Sequence, residues 1–383
     1  MRSNGLRRLA VPIVLCAARL LAQDTALPKD SININLAKDS PVTLVGMSSN
    51  ESRATARGAA LVLDLHMTLT LRNAGASRIH GVMLRVVSQE VTLGGKGSVT
   101  IPSMNIAPGE AFPVRIEMQL VRPTQMAGGP LVQIDLDGVL YQDLSFYGPD
   151  RLHSRRYLTA CEVEAQRDRE YLKRVLAQGG QEGLRQEIFQ IGARQQSAPL
   201  NVKVVPHGPA VTSAALPPEH AEKFAFVQFP DSPVEAIQGW AQVSGNEARA
   251  PNIEVRNRSA KAVKYVELGW VLTDQAGRQS VAASLPSSEK DLSNLPPDKT
   301  GTVRQETTLR LFSNSGQPVN VQKMTGFVNQ VEFADGKVWV PNRKSLADPA
   351  LLKSVAPSAE EQRLADLYNR GGIAALVEEL KKF

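Results

Sequence analysis

The chain changes its hydrophobic period several times along its length. From Leu61 to Arg72 every odd-numbered position is apolar, and after Val62 every even-numbered one is polar. That alternation places one face of a β-strand on a core and the other in water. Val114 to Leu120 repeats it, as do Val266, Leu268, Trp270 and Leu272 in the second half. In residues 154–178 the spacing turns helical: Tyr157, Leu158, Cys161, Ala165, Leu172, Val175 and Leu176 form a stripe. Gly179-Gly180 ends that helix, and Leu184, Ile188, Phe189 and Ile191 predict a second one. Near the C-terminus, Ser358-Ala359-Glu360-Glu361 is a capping box opening a helix with Leu364 and Leu367. Gly371-Gly372 breaks it before Ile373, Leu376, Val377 and Leu380 continue.

The two β-rich regions match each other in three collinear blocks. Leu71-Arg72-Asn73-Ala74-Gly75-Ala76 through Leu84 aligns on Val255-Arg256-Asn257-Arg258-Ser259-Ala260 through Leu268. Asn105-Ile106-Ala107-Pro108 with Val114-Arg115 matches Asn294-Leu295-Pro296-Pro297 with Val303-Arg304. Gln133 to Gly138 matches Gln330 to Phe333 followed by Asp335-Gly336. Each block has turn chemistry. Asn tolerates left-handed backbone and bonds its own main chain, Pro108-Gly109 and Pro297-Asp298 suit tight turns, and Asp-Gly is a hairpin signal. The fold expected is mainly β: two antiparallel Ig-like β-sandwich domains, a helical segment between them and a short C-terminal helical hairpin.

This order of strand, Asn-x-Gly/Ser turn, strand, Leu/Ile-x-Pro-Gly/Asp turn and strand resembles the Ig-like or fibronectin-III-like modules of bacterial exported proteins. It is similar to the cell-adhesion-related bacterial domains and the FxLYD-type domains, over roughly residues 40–147 and 235–342. The resemblance implies a β-sandwich scaffold and carries over no functional residue.

The domain layout expected is a signal peptide over residues 1–22, a first sandwich over 34–150 and a helical segment over 151–193. A Pro-rich linker follows over 194–233 with one strand at 200–205, then a second sandwich over 234–342 and C-terminal helices over 343–383. The signal reading rests on Arg2, Arg7 and Arg8 before the apolar run Leu9 to Ala18 and on the small residue Ala22. An ordinary amino terminus is the alternative. Removing residues 1–22 takes away Cys16 and leaves Cys161 alone, so no internal disulfide is expected. With no other segment of membrane-spanning length, the mature chain is expected to be exported without a transmembrane segment: periplasmic, at the cell surface or secreted.

Composition then narrows the chemistry. Hydrophobic residues at 42% and charged residues at 21% suit packed cores, and 44 Lys+Arg against 38 Asp+Glu gives a net charge of +6. Residues 1–22 hold four arginines and no acid, so their removal leaves +2. Charges so interleaved give no electrostatic case for nucleic acid. Arg151, Arg155 and Arg156 are followed by Glu162, Glu164, Asp168 and Glu170, which reads as a solvated, mixed-sign helix face. The histidines His66, His80, His153, His207 and His220 lack metal-ligand spacing. Asp135-Leu136-Asp137-Gly138 lacks the spacing and closing Glu of a calcium loop and reads as a hairpin. Ser287-Ser288-Glu289-Lys290 and Lys299-Thr300-Gly301 share one loop, unlike the separated motifs of serine β-lactamases.

No catalytic, cofactor-binding or metal residue is assigned, no cofactor is expected, and the binding residues are unknown from sequence. The leading expectation is a non-enzymatic binding or structural protein of the cell envelope, its partner another envelope protein or surface component. Two alternatives stay open. One is an enzyme in which Asp135, Asp137 and Asp143 converge with His80 or His153; the other is self-association through the C-terminal helices.

Overall fold

The computed structural model describes residues 24–49, 51–124, 129–196, 200–206, 219–285, 292, 294–304, 307–313, 315–346, 351 and 357–383. The expected signal segment, the prolines 209, 217 and 218 of the linker, His207 and the Ser287–Lys290 motif lie outside them. The fold is mainly β. The chain divides into two compact units. One holds the described residues up to Arg72 with Arg85–Val99 and Ala111–Asp135; the other holds Asn73–Leu84, Thr100–Glu110 and Leu136–Phe383.

In the first unit the alternating segment forms the long strand Ala60–Asn73, paired antiparallel with Ala111–Pro123 from Ala60↔Pro123 to Arg72↔Ala111. Leu63, Leu65, Leu69 and Leu71 are fully buried, as their period of two requires. The sheet runs in the order Asp24–Ala26, Arg53–Arg57, Ala60–Asn73, Val42–Ser48. Another sheet, not confined to that unit, has the order Phe146–Tyr147, Val132–Tyr141, Ile79–Val87, Lys96–Ile101, and Ile32–Asn35 joins Val132–Tyr141 in parallel.

In the second unit two sheets share one core. One has the order Leu200–Pro206, Thr307–Ser313, Glu247–Asn257, Val234–Ser244, His220–Lys223. The other has Ala225–Val227, Val321–Phe333, Val263–Asp274, Gln279–Leu285. Val255, Ile253 and Leu309 of the first pack with Val266, Leu268, Trp270 and Val331 of the second, which is a β-sandwich. Leu200–Pro206 pairs along its whole length with Thr307–Ser313. The strand expected at 200–205 therefore belongs to this sheet and is not a free part of a linker. Ala225–Val227 runs parallel to Val321–Phe333, so each half of the chain adds one parallel pair to the antiparallel plan.

The duplication appears in the hydrogen bonds as well as in the residues. The Asn73 side chain donates to the carbonyls of Ser77 and Ile106 and accepts from Gly75 N–H; its own carbonyl accepts from Gly109 N–H. Asn257 donates to Lys261 and Leu295, accepts from Ser259 N–H, and its carbonyl accepts from Asp298 N–H. The bridges Ile79↔Ile106 and Val263↔Leu295 are likewise equivalent. Gly109 and Asp298 both take positive φ, 79° and 59°, at the third position of their Pro turns.

The third block needs correction. Asp137-Gly138 is not a hairpin: it lies inside the strand Val132–Tyr141. A side chain at Gly138 would come within 2.5 Å of the Phe146 ring, so glycine here serves close packing. The true counterpart of Asp335-Gly336 is Asp143-Leu144. Tyr141 N–H donates to Ser145 and Phe333 N–H to Lys337, and Leu144 and Gly336 have φ of 64° and 78°. The strands Phe146–Tyr147 and Val338–Trp339 follow in the same relation.

That same interval continues into the helices. Ser154–Gln196 is broken at Gly180 (φ 62°, ψ −162°) and Ala359–Lys381 at Gly372 (φ 69°, ψ −172°). The flanking residues correspond: Leu172 to Leu364, Leu184 to Leu376, Ile188 to Leu380. These six, with Ile191 and Ala365, form one buried cluster, so the two Gly-broken helix pairs pack on each other through equivalent side chains. The repeating unit is thus strands plus a Gly-broken helix pair. The helix start at Leu158 packs on Met83 and Leu140. Both glycines occupy a region open almost only to glycine. Gly372→Ala is expected to cost about 1–3 kcal/mol, read as a lower urea midpoint with an unchanged slope.

Candidate functional site

The five residues that would have to converge in an enzyme have separate tasks. Asp135 accepts from Gln133, Asn35 and Arg85 at 2.8, 3.1 and 3.3 Å. Asp137, fully buried, accepts from the N–H groups of Arg151 and Leu152, each at 3.0 Å, and from the Ser154 hydroxyl. It holds the entry to the long helix. Asp143 sits exposed in its turn, and hydrogen bonds from the hydroxyl and N–H of Ser145 lower its carboxyl below the ordinary range. His153 is exposed, with positive φ, at the approach to the helix. His80 is buried, and its Nδ1 lies 3.0 Å from Glu162 Oε1 rather than beside any of the three aspartates. Among the described residues no group of three His, Cys, Asp or Glu could hold a metal ion.

Cys161 is a free thiol on the helix. Burial, followed by the negative charge of Glu164, pushes it up to about 12, so it stays protonated at neutral pH and is not a ready nucleophile.

The largest departure from the sequence reading is a buried charge network among the helices. Glu162 and Asp168 belong to the face expected to be solvated, yet they are 1% and 0% exposed, and Arg169 is 3% exposed. Arg169 bonds Glu162 at 2.5 Å and Glu360 at 3.2 Å and lies 3.9 Å above the Phe383 ring. Arg363 bridges Glu360 at 2.8 Å and Glu379 at 2.7 Å. Glu361 receives Arg343 at 2.6 Å and Arg194 at 2.8 Å, and Arg343 reaches on to Asp168 and Glu187, both at 3.5 Å. Arg343 also stacks over Tyr171, 4.4 Å from the ring centre. Glu170, Arg151 and Arg155 remain exposed as expected. Such a network fixes which helix faces meet, because each charge is costly to bury unless its own partner arrives. The Leu364, Leu376 and Leu380 stripe, expected as a route to self-association, is covered within the chain by Leu172, Leu184 and Ile188.

Exposed apolar side chains lie elsewhere. In the loop after Ile79–Val87, Val91 and Leu93 are 89% and 97% exposed. This loop is closed by its own backbone: the N–H groups of Ser88 and Gln89 donate to Gly95 O, and Gly95 N–H donates to Thr92 O. Leu44, Val45, Ile237 and Trp240 are also exposed, on the strands Val42–Ser48 and Val234–Ser244.

Among the described residues no helix is long and apolar enough to cross a membrane. In comparisons with known proteins, no protein-family model matches the chain and no curated protein matches it.

Proposed function

We propose that the chain works outside the cytoplasm as a non-enzymatic binding scaffold of the cell envelope, its two halves Ig-like β-sandwich modules. Its partner is another envelope protein or surface component. One observation carries this reading. Two aliphatic side chains stand almost wholly in water at a loop tip that main-chain bonds hold closed. Apolar side chains held out on a closed loop suit a contact surface, since binding residues are concentrated on loops carried by a rigid scaffold. Export rests on the basic and apolar pattern of residues 1–22, and a net charge of +2 without them favours a protein or surface partner over nucleic acid. The structural employment of Asp135, Asp137 and Asp143 supports a scaffold over an enzyme.

Fractionation with amino-terminal sequencing, combined with a photo-crosslinking residue at Leu93 in intact cells, tests this. The expected result is an exported chain beginning near Gln23 and a discrete adduct at Leu93 that fades in a Val91→Ser background. Retention of Met1 on cytoplasmic protein, or no adduct at Leu93, would contradict the proposal.

A further inference from the structure

The sheet of the first unit protects its outer strands unevenly. Asp24–Ala26 is only three residues long and carries a charge. Ala111–Pro123 carries Pro113, Arg115 and Glu117 at exposed positions. Short length, charge and proline are the devices by which edge strands avoid further pairing. Among the described residues Val42–Ser48 ends the strand order and has none of them: the seven residues Val-Thr-Leu-Val-Gly-Met-Ser contain no charge and no proline. Leu44 and Val45, which point to opposite faces of the strand, are 41% and 50% exposed. In the second half the related strand Val234–Ser244 carries Glu235 and has register shifts at Ala236/Gln238 and Trp240/Gln242, and His220–Lys223 pairs with part of it. Among the described residues, the same edge carries a charge and register shifts in one repeat and no charge in the other.

We propose that Val42–Ser48 is a self-pairing edge through which two copies of this chain join in one antiparallel sheet. Self-complementarity favours a second copy as the occupant. A two-fold axis at Val45 sets Leu44 opposite Gly46 and Thr43 opposite Met47, and no like charges meet. A charged or bulged edge could not meet itself in this way. Because Leu44 and Val45 lie on both faces, a neighbouring strand covers both, which a partner laid on one face does not. This inference concerns the purified chain alone and does not depend on export or on an envelope partner.

The test is the solution mass of the purified full chain by light scattering across a concentration series, for the native protein and for Val45→Lys. The expected masses are two chains for the native protein and one for Val45→Lys, with an unchanged far-ultraviolet spectrum for the half-exposed site. Should Val45→Lys fold poorly, Val45→Cys in a Cys16→Ser, Cys161→Ser background gives the second readout. Residues facing across the axis have Cα atoms about 4.5–5.5 Å apart, within disulfide reach, so mild oxidation is expected to yield a covalent dimer. Glu117→Cys on the protected edge is expected to yield none. A native chain that stays monomeric, a dimer untouched by Val45→Lys, or equal crosslinking at both edges would overturn the proposal. Mass greater than one chain only when an extended apolar peptide is added would assign the edge to a foreign strand and overturn it too.

Discussion

Replacing Glu361 by alanine is expected to lower the unfolding free energy by about 3–5 kcal/mol, the range for removing one member of a buried ion pair. The reason is what stays behind. Arg343 at 2.6 Å and Arg194 at 2.8 Å would lose their shared anion. The capping box would go with it, since Ser358 N–H donates to Glu361 Oε2 at 3.0 Å. Glu361→Gln keeps the shape and an acceptor, so it is expected to cost less than alanine in the same urea titration. The pH dependence has a defined sign. Burial alone would raise the Glu361 carboxyl, but Arg343 and Arg194 outweigh it and hold it below its ordinary 4.5. A depressed carboxyl stabilises the fold at pH values above the unfolded value of 4.5 and stops doing so as pH falls through the folded one. The gap between native and Glu361→Ala is therefore expected to be constant from pH 7 to 5 and to shrink below about 4.5. A gap that does not change with pH would reject this account of the network.

Trp270→Ala is the second large effect, expected at about 3–5 kcal/mol. Trp270 is fully buried in the core shared by the two sheets of the second unit. Phe224 meets it at 4.8 Å between ring centres with the rings inclined at 62°. On the Gly326 side the packing is so close that an added Cβ would lie 3.0 Å from the indole. Alanine would leave a cavity that this rigid arrangement cannot collapse, and the loss adds to that of the transferred surface. Trp270→Phe is expected to recover part of it. Thermal unfolding followed by indole-independent circular dichroism checks both.

Much of the fold is legible in the sequence wherever its cause is local. The period of two in Leu61–Arg72 and the Asn73 and Asn257 turns depend on neighbours a few residues away, and so do the breaks at Gly180 and Gly372. What the sequence hides is set by distant partners. Asp137-Gly138 has turn chemistry but is buried, because the Phe146 ring and the helix entry close over it. The repeat register is set instead by the Asp143-Leu144 turn, and it gives Leu172, Leu184 and Ile188 their counterparts in Leu364, Leu376 and Leu380. Glu162, Asp168 and Arg169 look like a wet helix face until Arg343, Glu360 and Glu361 arrive from the far end of the chain. The openness of Val42–Ser48 is equally invisible, since being an edge is a property of pairing.

The central claim is that the chain is a tandem repeat of strands plus a Gly-broken helix pair, with the two helix pairs clasped together. It is tested most directly by cutting the connection. A specific protease site placed at residues 197–199 of the full chain, ahead of the strand Leu200–Pro206 that belongs to the second half's sheet, would be cleaved after folding, and the product run on a sizing column without denaturant. The account predicts that the nicked halves elute together as one species, and that Leu376→Asp, which charges the shared cluster, makes them separate. Halves that part on nicking alone, or that stay together with Leu376→Asp, would contradict it.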